Sequence, residues 1–151
     1  MSTAKRRKAV SAHKRALILD AARAIFEEDG LEGASLRAIA GRAGYTPAAL
    51  YFHFESKEAI YAAVLHESLA ALRAAVDQAV DGAAGPAARF RAAGMAFFDF
   101  YAARPRDLDL GFYLFRGGMR SAGLGRDNDA ALNAALEATL MPIAAAAEEL
   151  G

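Results

Sequence analysis

Positively charged side chains, which bind phosphate groups, are concentrated at the start of the chain. The 151-residue chain has no net charge, yet six of its 18 Lys and Arg residues precede the first acidic residue, Asp20. Because the distribution of charge matters more for nucleic-acid binding than the total, residues 1–12 are predicted to form a basic, flexible arm. Such an arm can order on phosphate or enter a minor groove, and a solvated tail is the alternative. The six residues are Lys5, Arg6, Arg7, Lys8, Lys14 and Arg15.

The other residue types that commonly carry chemistry do not form a recognisable site. The chain has no cysteine, which excludes a disulfide, a thiolate metal site and a cysteine nucleophile. His13, His53 and His66 do not share a helix turn, and no carboxylate pair accompanies His53, so a metal site is not expected. Glycine-rich phosphate loops and a Ser-His-Asp arrangement are also missing from the sequence. We therefore expect neither an enzyme nor a cofactor.

Short helices without flexible sequence between them are predicted over residues 35–61. Ser35 is a suitable N-cap, and Gly44 suits the left-handed residue that ends a helix. Thr46 can then cap a second helix that begins at Pro47. Helices this short are unstable alone, and such a pair commonly presents its second helix to DNA. An ordinary pair of short helices in an all-α core is the alternative.

A long helix is predicted before this pair, over about residues 13–29. Lys14 and Arg15 lie near its expected start, where each opposes the helix dipole by roughly 0.3–1 kcal/mol unless a phosphate is close. This makes Lys14 a candidate for DNA contact. The inward stripe of the helix is predicted to consist of Leu17, Ile18, Ala21, Ala22, Ile25 and Phe26.

These segments closely resemble the N-terminal domain of the tetracycline-repressor (TetR) family of transcriptional regulators. The resemblance is specific over residues 13–66 and weak beyond them. It implies an all-α chain with an N-terminal three-helix DNA-binding head containing a helix-turn-helix, joined by a long helix to a helical ligand-binding body. The matching motifs are Ser35-Leu36-Arg37, Ile39-Ala40, Ala43-Gly44, Leu50-Tyr51-Phe52-His53-Phe54 and Ser56-Lys57-Glu58, after a long helix that ends at Gly30.

The resemblance also implies which residues contact DNA. Residues 46–49 face the groove, where proline and alanine permit apolar contact with thymine methyl groups but no hydrogen bonds to base edges. Arg37 is the candidate for a guanine contact, while Tyr51, His53 and Lys57 look like phosphate contacts. Packing is the alternative for Tyr51 and Phe52. The predicted DNA-binding residues are Lys14, Ser35, Arg37, Thr46, Pro47, Ala48, Ala49, Tyr51, Phe52, His53 and Lys57.

Four further helices are predicted, over about residues 56–80, 87–103, 108–115 and 129–150. The first carries an apolar seam and is expected to connect the head to the body and to transmit the ligand state. A loop is expected over residues 121–128, and a kink at Pro142. No apolar run approaches the length needed to span a bilayer, and no signal peptide is recognisable.

Aromatic residues are concentrated in the body, with seven of the 14 lying in residues 97–115. Neighbouring aromatic residues on a helix point in different directions, so either the body buries several faces or some rings line a cavity. Core packing is the alternative to a pocket for a small hydrophobic or aromatic effector. Asp99 is expected on an exposed face. The predicted ligand-binding residues are Met95, Phe97, Phe98, Tyr101, Phe112, Tyr113, Phe115 and Met119.

The predicted domains are the arm (1–12), the helix-turn-helix domain (13–56) and an effector-binding and dimerisation body (57–151). By resemblance, the chain is predicted to be a cytoplasmic, ligand-responsive repressor that binds a palindromic operator as a homodimer and is released by a small apolar effector. Either the chain is incomplete at its C-terminus, or it dimerises through another surface such as the seam of Leu132, Leu136 and Leu140. The alternatives are a constitutive helix-turn-helix DNA-binding protein and a small helical binding protein with a structural helix-turn-helix.

Overall fold

The computed structural model describes residues 2–111 and 123–151, which form helices without any strand. The chain divides into two compact units, a head (Met1–Val64) and a body (Leu65–Gly151). The helices are α1 (Thr3–Gly33), α2 (Leu36–Ala43), α3 (Pro47–His53), α4 (Lys57–Asp81), α5 (Pro86–Ala103), α6 (Pro105–Gly111) and α7 (Arg126–Glu149). The first two turns of α4 belong to the head and the remainder to the body. The predicted all-α class is confirmed.

The head is built on a shared core of α1, α2, α3 and the start of α4. Ile18, Ile39, Leu50 and Ile60 are each at most 1% exposed, and α2 packs against both α1 and α3. The rings of Phe26 and Tyr61 meet edge to face at 4.7 Å between centroids. The short helices α2 and α3 are therefore held by burial of their apolar sides.

The predicted flexible arm is wrong, because α1 begins at Thr3 and runs through the basic segment. The Ser2 hydroxyl accepts a hydrogen bond from the Lys5 backbone N–H at 3.3 Å, which caps the helix. Alanine, lysine and arginine are strong helix formers, and the prediction weighed the charge of this segment above that propensity. Lys14 and Arg15 consequently lie well inside α1 and not near its start.

The core side of α1 differs from its predicted stripe at one residue. Leu17 is 39% exposed, while Leu19 is buried in its place. The other five predicted stripe residues are buried, and the helical path is interrupted at Gly30, where φ is 71°. Glycine adopts this left-handed region without steric cost, which is consistent with the predicted end of the long helix.

Two helices of the body begin earlier than predicted. Pro105 was expected to end a helix, but it also begins α6, since proline fits the first helical position. α7 begins at Arg126 because the Asp129 carboxylate accepts the N–H groups of Gly123 and Leu124, at 3.1 and 3.2 Å, and so fixes the preceding turn. α7 continues through Pro142.

The leucine seam proposed for dimerisation is part of the interior of the body. α5 packs against α7, and Leu132 and Leu136 are at most 3% exposed, while Leu140 is partly exposed. Side chains buried within one chain are not available to a second copy. Leu132 and Leu136 are therefore excluded as a dimer surface, and dimerisation itself stays a prediction.

The helices α4 and α7 are long and apolar enough to cross a membrane when judged by length and composition alone. The expectation that no apolar run approaches this length is therefore wrong when hydropathy is averaged along the helix. One or two charged residues interrupt an apolar run, but the segment around them remains apolar on average. The core helix of a soluble protein passes the same test, and half of the window in α4 is buried within the chain. The result is weak evidence for a membrane span.

Candidate DNA-binding site

The turn between α2 and α3 is fixed by the caps that the sequence predicts. The Ser35 hydroxyl accepts the Ala38 N–H at 3.1 Å, and Gly44 ends α2 with φ 78° and ψ 26°. The Tyr45 N–H donates to the Ala40 carbonyl at 2.9 Å. The Thr46 hydroxyl then accepts the Ala49 N–H at 3.3 Å, with Pro47 as the first residue of α3. At the start of each of these two helices, a side-chain hydroxyl thus accepts a hydrogen bond from a backbone N–H that has no partner within the helix.

The core and solvent sides of α3 are clearly separated. Leu50 and Phe54 are buried, as their spacing predicts. Residues 46–48 are exposed and Ala49 is partly exposed. Tyr51 and Phe52 are 59% and 88% exposed, so core packing does not explain either ring.

Two grooves of about 410 Å³ each lie on the head beside α3. We call the one lined by residues of α3 and the turn before it the recognition groove, and the one lined by the start of α1 the cationic groove. They share Lys14, Phe52 and His53. The recognition groove is also lined by Ile18, Tyr45, Ala48 and Ala49. The cationic groove is also lined by Thr3, Arg6, Arg7, Val10 and Ser11.

The structure thus brings together five of the predicted DNA-binding residues and adds others that the prediction missed. Tyr45 was missed, although an aromatic residue next to the cap at Thr46 is a usable signal. Arg6, Arg7 and Val10 were assigned to a flexible arm, so their common face was not considered. The five predicted residues that share the recognition groove are Lys14, Ala48, Ala49, Phe52 and His53.

The two arginines of α2 have different surroundings. Arg42 donates to both carboxylate oxygens of Glu28, at 2.8 and 3.0 Å, and links α2 to α1. Arg37, the predicted base contact, is exposed near the start of the same helix. On α1, the guanidinium of Arg15 lies over the Phe54 ring at 4.6 Å. Arg15 and Arg42 therefore serve contacts within the head.

Lys57, a predicted phosphate contact, is partly buried at the start of α4. Its ammonium group donates to the backbone carbonyls of Ala34 at 3.1 Å and Glu32 at 3.5 Å. These bonds tie the start of α4 to the end of α1. An ammonium group has three donors, so this position leaves the predicted phosphate contact possible, and that contact stays a prediction.

Polar groups in the body are less clearly arranged for binding. Ser68 is buried and donates to the Asp107 carboxylate at 3.0 Å. Burial, and then the nearby charge of Asp107, raise the pKa of Tyr101. Burial lowers the pKa of His66, which favours its neutral form.

Half of the predicted ligand-binding residues lie within the described part of the chain. The Phe97 and Tyr101 rings are partly buried and meet edge to face at 5.2 Å. Met95 and Phe98 are 52% and 66% exposed, and Asp99 is exposed as predicted. Their ligand-binding role stays a prediction. Phe112, Tyr113, Phe115 and Met119 lie outside the described residues.

The geometry of the head defines a helix-turn-helix DNA-binding domain. Residues 18–64 match the family of bacterial regulatory proteins called the tetR family. Over these residues the chain is similar to the N-terminal domain of the tetR family, which confirms the resemblance seen in the sequence.

Related sequences agree with this assignment over part of the chain. The HTH-type transcriptional activator FasR of Mycolicibacterium smegmatis is 40% identical over 87 residues, which cover 58% of this chain and 40% of FasR. The HTH-type transcriptional regulator RutR of Escherichia coli is 47% identical over 68 residues, which cover 45% of this chain and 32% of RutR. The chain thus spans less than half the length of these relatives.

Solved structures share the fold over more of the chain. A tetR-family regulatory protein from Rhodococcus RHA1 superimposes with a TM-score of 0.76 at 21% identity, covering 90% of this chain and 68% of its own. The regulator PfmR from Thermus thermophilus gives a TM-score of 0.70 at 24% identity, covering 87% of this chain and 69% of its own. At these identities the likeness concerns the fold alone.

Proposed function

We propose that the chain is a ligand-responsive transcription regulator whose head binds operator DNA. The observation that carries this proposal is the two-sided helix α3. Leu50 and Phe54 fix it to the core, while Tyr51 and Phe52 remain exposed, with Phe52 lining the recognition groove. A helix held in this way can enter a major groove and place side chains on the flanking phosphates.

We further propose that the regulator acts as a homodimeric repressor on a palindromic operator in the cytoplasm. α3 has seven residues, and its exposed start offers proline and alanine, which make no hydrogen bonds to base edges. One such helix supplies little sequence discrimination, and a two-fold dimer doubles it. Half-sites one duplex turn apart require recognition helices roughly 34–36 Å apart, or a multiple of that distance.

Selection of duplexes from a random library by the purified full chain tests this function. We expect enrichment of an inverted repeat, binding at two chains per duplex, and a steep loss of affinity as salt increases. A reporter placed under the selected operator should be repressed by the chain. If no sequence is enriched and binding does not depend on salt, the helix-turn-helix is a structural element.

Arg37→Ala is expected to relax discrimination at one base pair of each half-site by roughly 1–3 kcal/mol, the value of a good bidentate base contact. The loss should be confined to that position, because the variant keeps the contacts to phosphate. The measurement is the affinity for the selected operator and for its single-base variants.

Arg42→Ala is the matched control for this prediction. It removes the same charge from the same helix, but Arg42 is bound to Glu28. Because Glu28 holds the Arg42 side chain, we expect no contact with a base and no change in base preference. Loss of this exposed ion pair should lower the free energy of unfolding by only about 0–1 kcal/mol. Equal weakening on every sequence by Arg37→Ala would contradict its role in reading a base.

We also propose that the body binds a small apolar or aromatic effector that releases the operator. The contact between Phe97 and Tyr101, both partly buried, supports an aromatic site, and small-molecule sites are mostly apolar with few polar groups. For release, the effector must prefer the conformation that does not bind DNA, since equal affinity for both conformations shifts nothing.

Phe97→Ala is expected to weaken the response to such an effector while operator affinity stays unchanged. The measurement is effector-dependent release of the labelled operator during titration with apolar and aromatic compounds. Phe98→Ala truncates a mostly exposed ring on the same helix, and the comparison shows whether the partly buried position of Phe97 matters for the response. If no compound that binds the body changes DNA affinity, the chain is a constitutive DNA-binding protein.

A further inference from the structure

We propose that residues 3–14 of α1 form a preformed helical clamp for the sugar-phosphate backbone of duplex DNA. The clamp holds DNA in the cationic groove, outside the base pairs that α3 reads. This inference rests on the proposed function and deepens it, because it names the partner of a surface that operator reading by α3 does not require.

The groove residues of the clamp lie on one face of the helix. Thr3, Arg6, Val10 and Lys14 follow each other at steps of three and four residues, with Arg7 between them. Such steps place side chains one above the other along a helix. Lys5 and Lys8 point elsewhere, at roughly 140–200° from Thr3 around the axis. The helix therefore divides the basic segment into cations that line the groove and cations that do not.

The charge of this face fits a polyanion. The first turn of α1 contains no acidic residue, and the first acidic residue of the chain is Asp20. Residues 3–14 are exposed, so burial within the head does not explain their sequence. Backbone contacts by Lys and Arg supply most of the sequence-independent affinity of DNA-binding proteins.

The continuity of the two grooves favours an elongated ligand over a small anion. Lys14, Phe52 and His53 line both grooves, so a strand that lies along the recognition groove can continue into the cationic groove. The Phe52 ring stands between them at 88% exposure and has no hydrogen-bonding group. Its apolar surface can pack against a deoxyribose while Arg6 and Lys14 contact phosphates.

The length of the clamp sets the extra DNA that it can cover. Eleven residue steps of a helix span about 16 Å, and one strand of B-DNA carries a phosphate about every 3.4 Å along its axis. The clamp can therefore add at most about five base pairs beyond each half-site. Removing that length of flanking DNA from each side of the selected operator, with both half-sites kept intact, should weaken binding of the unmodified chain.

A pair of double variants tests whether the helical face matters. Both Arg6→Gln/Arg7→Gln and Lys5→Gln/Lys8→Gln remove two positive charges, but only the first pair lies in the groove. Because the arginine pair neutralises two phosphates, its removal should lower the slope of log affinity against log salt by about 1.8. The change should be much smaller for the lysine pair. The effect should appear on the selected operator and on a random-sequence duplex of the same length.

A second comparison keeps every charge and removes the helix. Ala9→Pro breaks α1, since an internal proline loses a backbone hydrogen bond and clashes with the preceding turn. Ala9→Gln is its control, because glutamine also favours a helix, and Ala9 is exposed and does not line the groove. Ala9→Pro should reproduce the loss of the arginine pair, and Ala9→Gln should bind like the unmodified chain. Circular dichroism confirms that the head remains folded.

The outcomes separate this proposal from the proposed function. Equal losses from the arginine and lysine pairs, or unchanged binding by Ala9→Pro, would overturn the clamp even if an operator is found. If no operator is selected but the random duplex is bound through Arg6 and Arg7, operator recognition fails and the clamp stands. If the unmodified chain is insensitive to the length of the flanking DNA, the groove does not hold the backbone.

Discussion

Leu50→Ala is expected to lower the free energy of unfolding of the head by about 2–5 kcal/mol, the usual effect of truncating a buried leucine. Leu50 is 1% exposed and lies on the core side of α3. A helix of seven residues does not form alone, so the loss of its main core contact should also release α3 from the head. Operator binding should then be lost together with stability.

Tyr51→Ala is the matched control for this result. It truncates a larger side chain at the next residue of the same helix, but Tyr51 is 59% exposed. Substitutions at exposed positions usually change stability by about 0.5 kcal/mol or less. We expect this variant to stay folded and to lose affinity on all DNA sequences alike. Urea unfolding followed by circular dichroism, with DNA titrations of both variants, provides the measurement. If Leu50→Ala stays as stable as Tyr51→Ala, the core position of α3 is contradicted.

The local structure of the head could be predicted because its signals lie within a few residues of each other. Each cap joins a side chain to a backbone N–H three residues later, as at Ser35 and Thr46. The burial of Leu50 and Phe54 follows from a single helical repeat. Short-range geometry of this kind does not depend on the rest of the fold.

The basic segment was predicted wrongly because two local signals disagree there. Its charge is typical of a solvated tail, whereas alanine, lysine and arginine favour a helix. The cap at Ser2 and the continuation into the packed part of α1 favour the helix. This difference changes the interpretation of function, since a helix fixes which cations share a surface and a flexible arm does not.

The body could be predicted less completely because its arrangement depends on contacts between distant residues. The spacing of Leu132 and Leu136 shows that one side of α7 is apolar, but not whether α5 or a second copy covers it. In the same way, the position of Asp129 gave no indication that its carboxylate would bind the N–H groups of Gly123 and Leu124. Packing partners of this kind are known only from the fold.

Replacement of glycine by alanine should have opposite effects on stability at Gly44, which ends α2, and at Gly41, which lies within α2. Gly44→Ala is expected to lower the free energy of unfolding of the head by about 1–2 kcal/mol, because a Cβ atom is unfavourable in the left-handed region. Gly44 has φ 78°, and space around its Cα is open, so the cost comes from the backbone and not from a clash.

Gly41→Ala should instead raise the free energy of unfolding by about 0.5–1 kcal/mol, since alanine loses less conformational freedom than glycine within a helix. Gly41 is an exposed residue inside α2, and no atom lies within 4 Å of an added Cβ. The two single-alanine variants should therefore differ by about 1.5–3 kcal/mol in urea unfolding, the sum of the two effects. Gly44→Ala should also weaken operator binding, because a shifted turn changes the angle between α2 and α3. If both variants gain stability, Gly44 is an ordinary helical residue and the turn does not depend on its left-handed conformation.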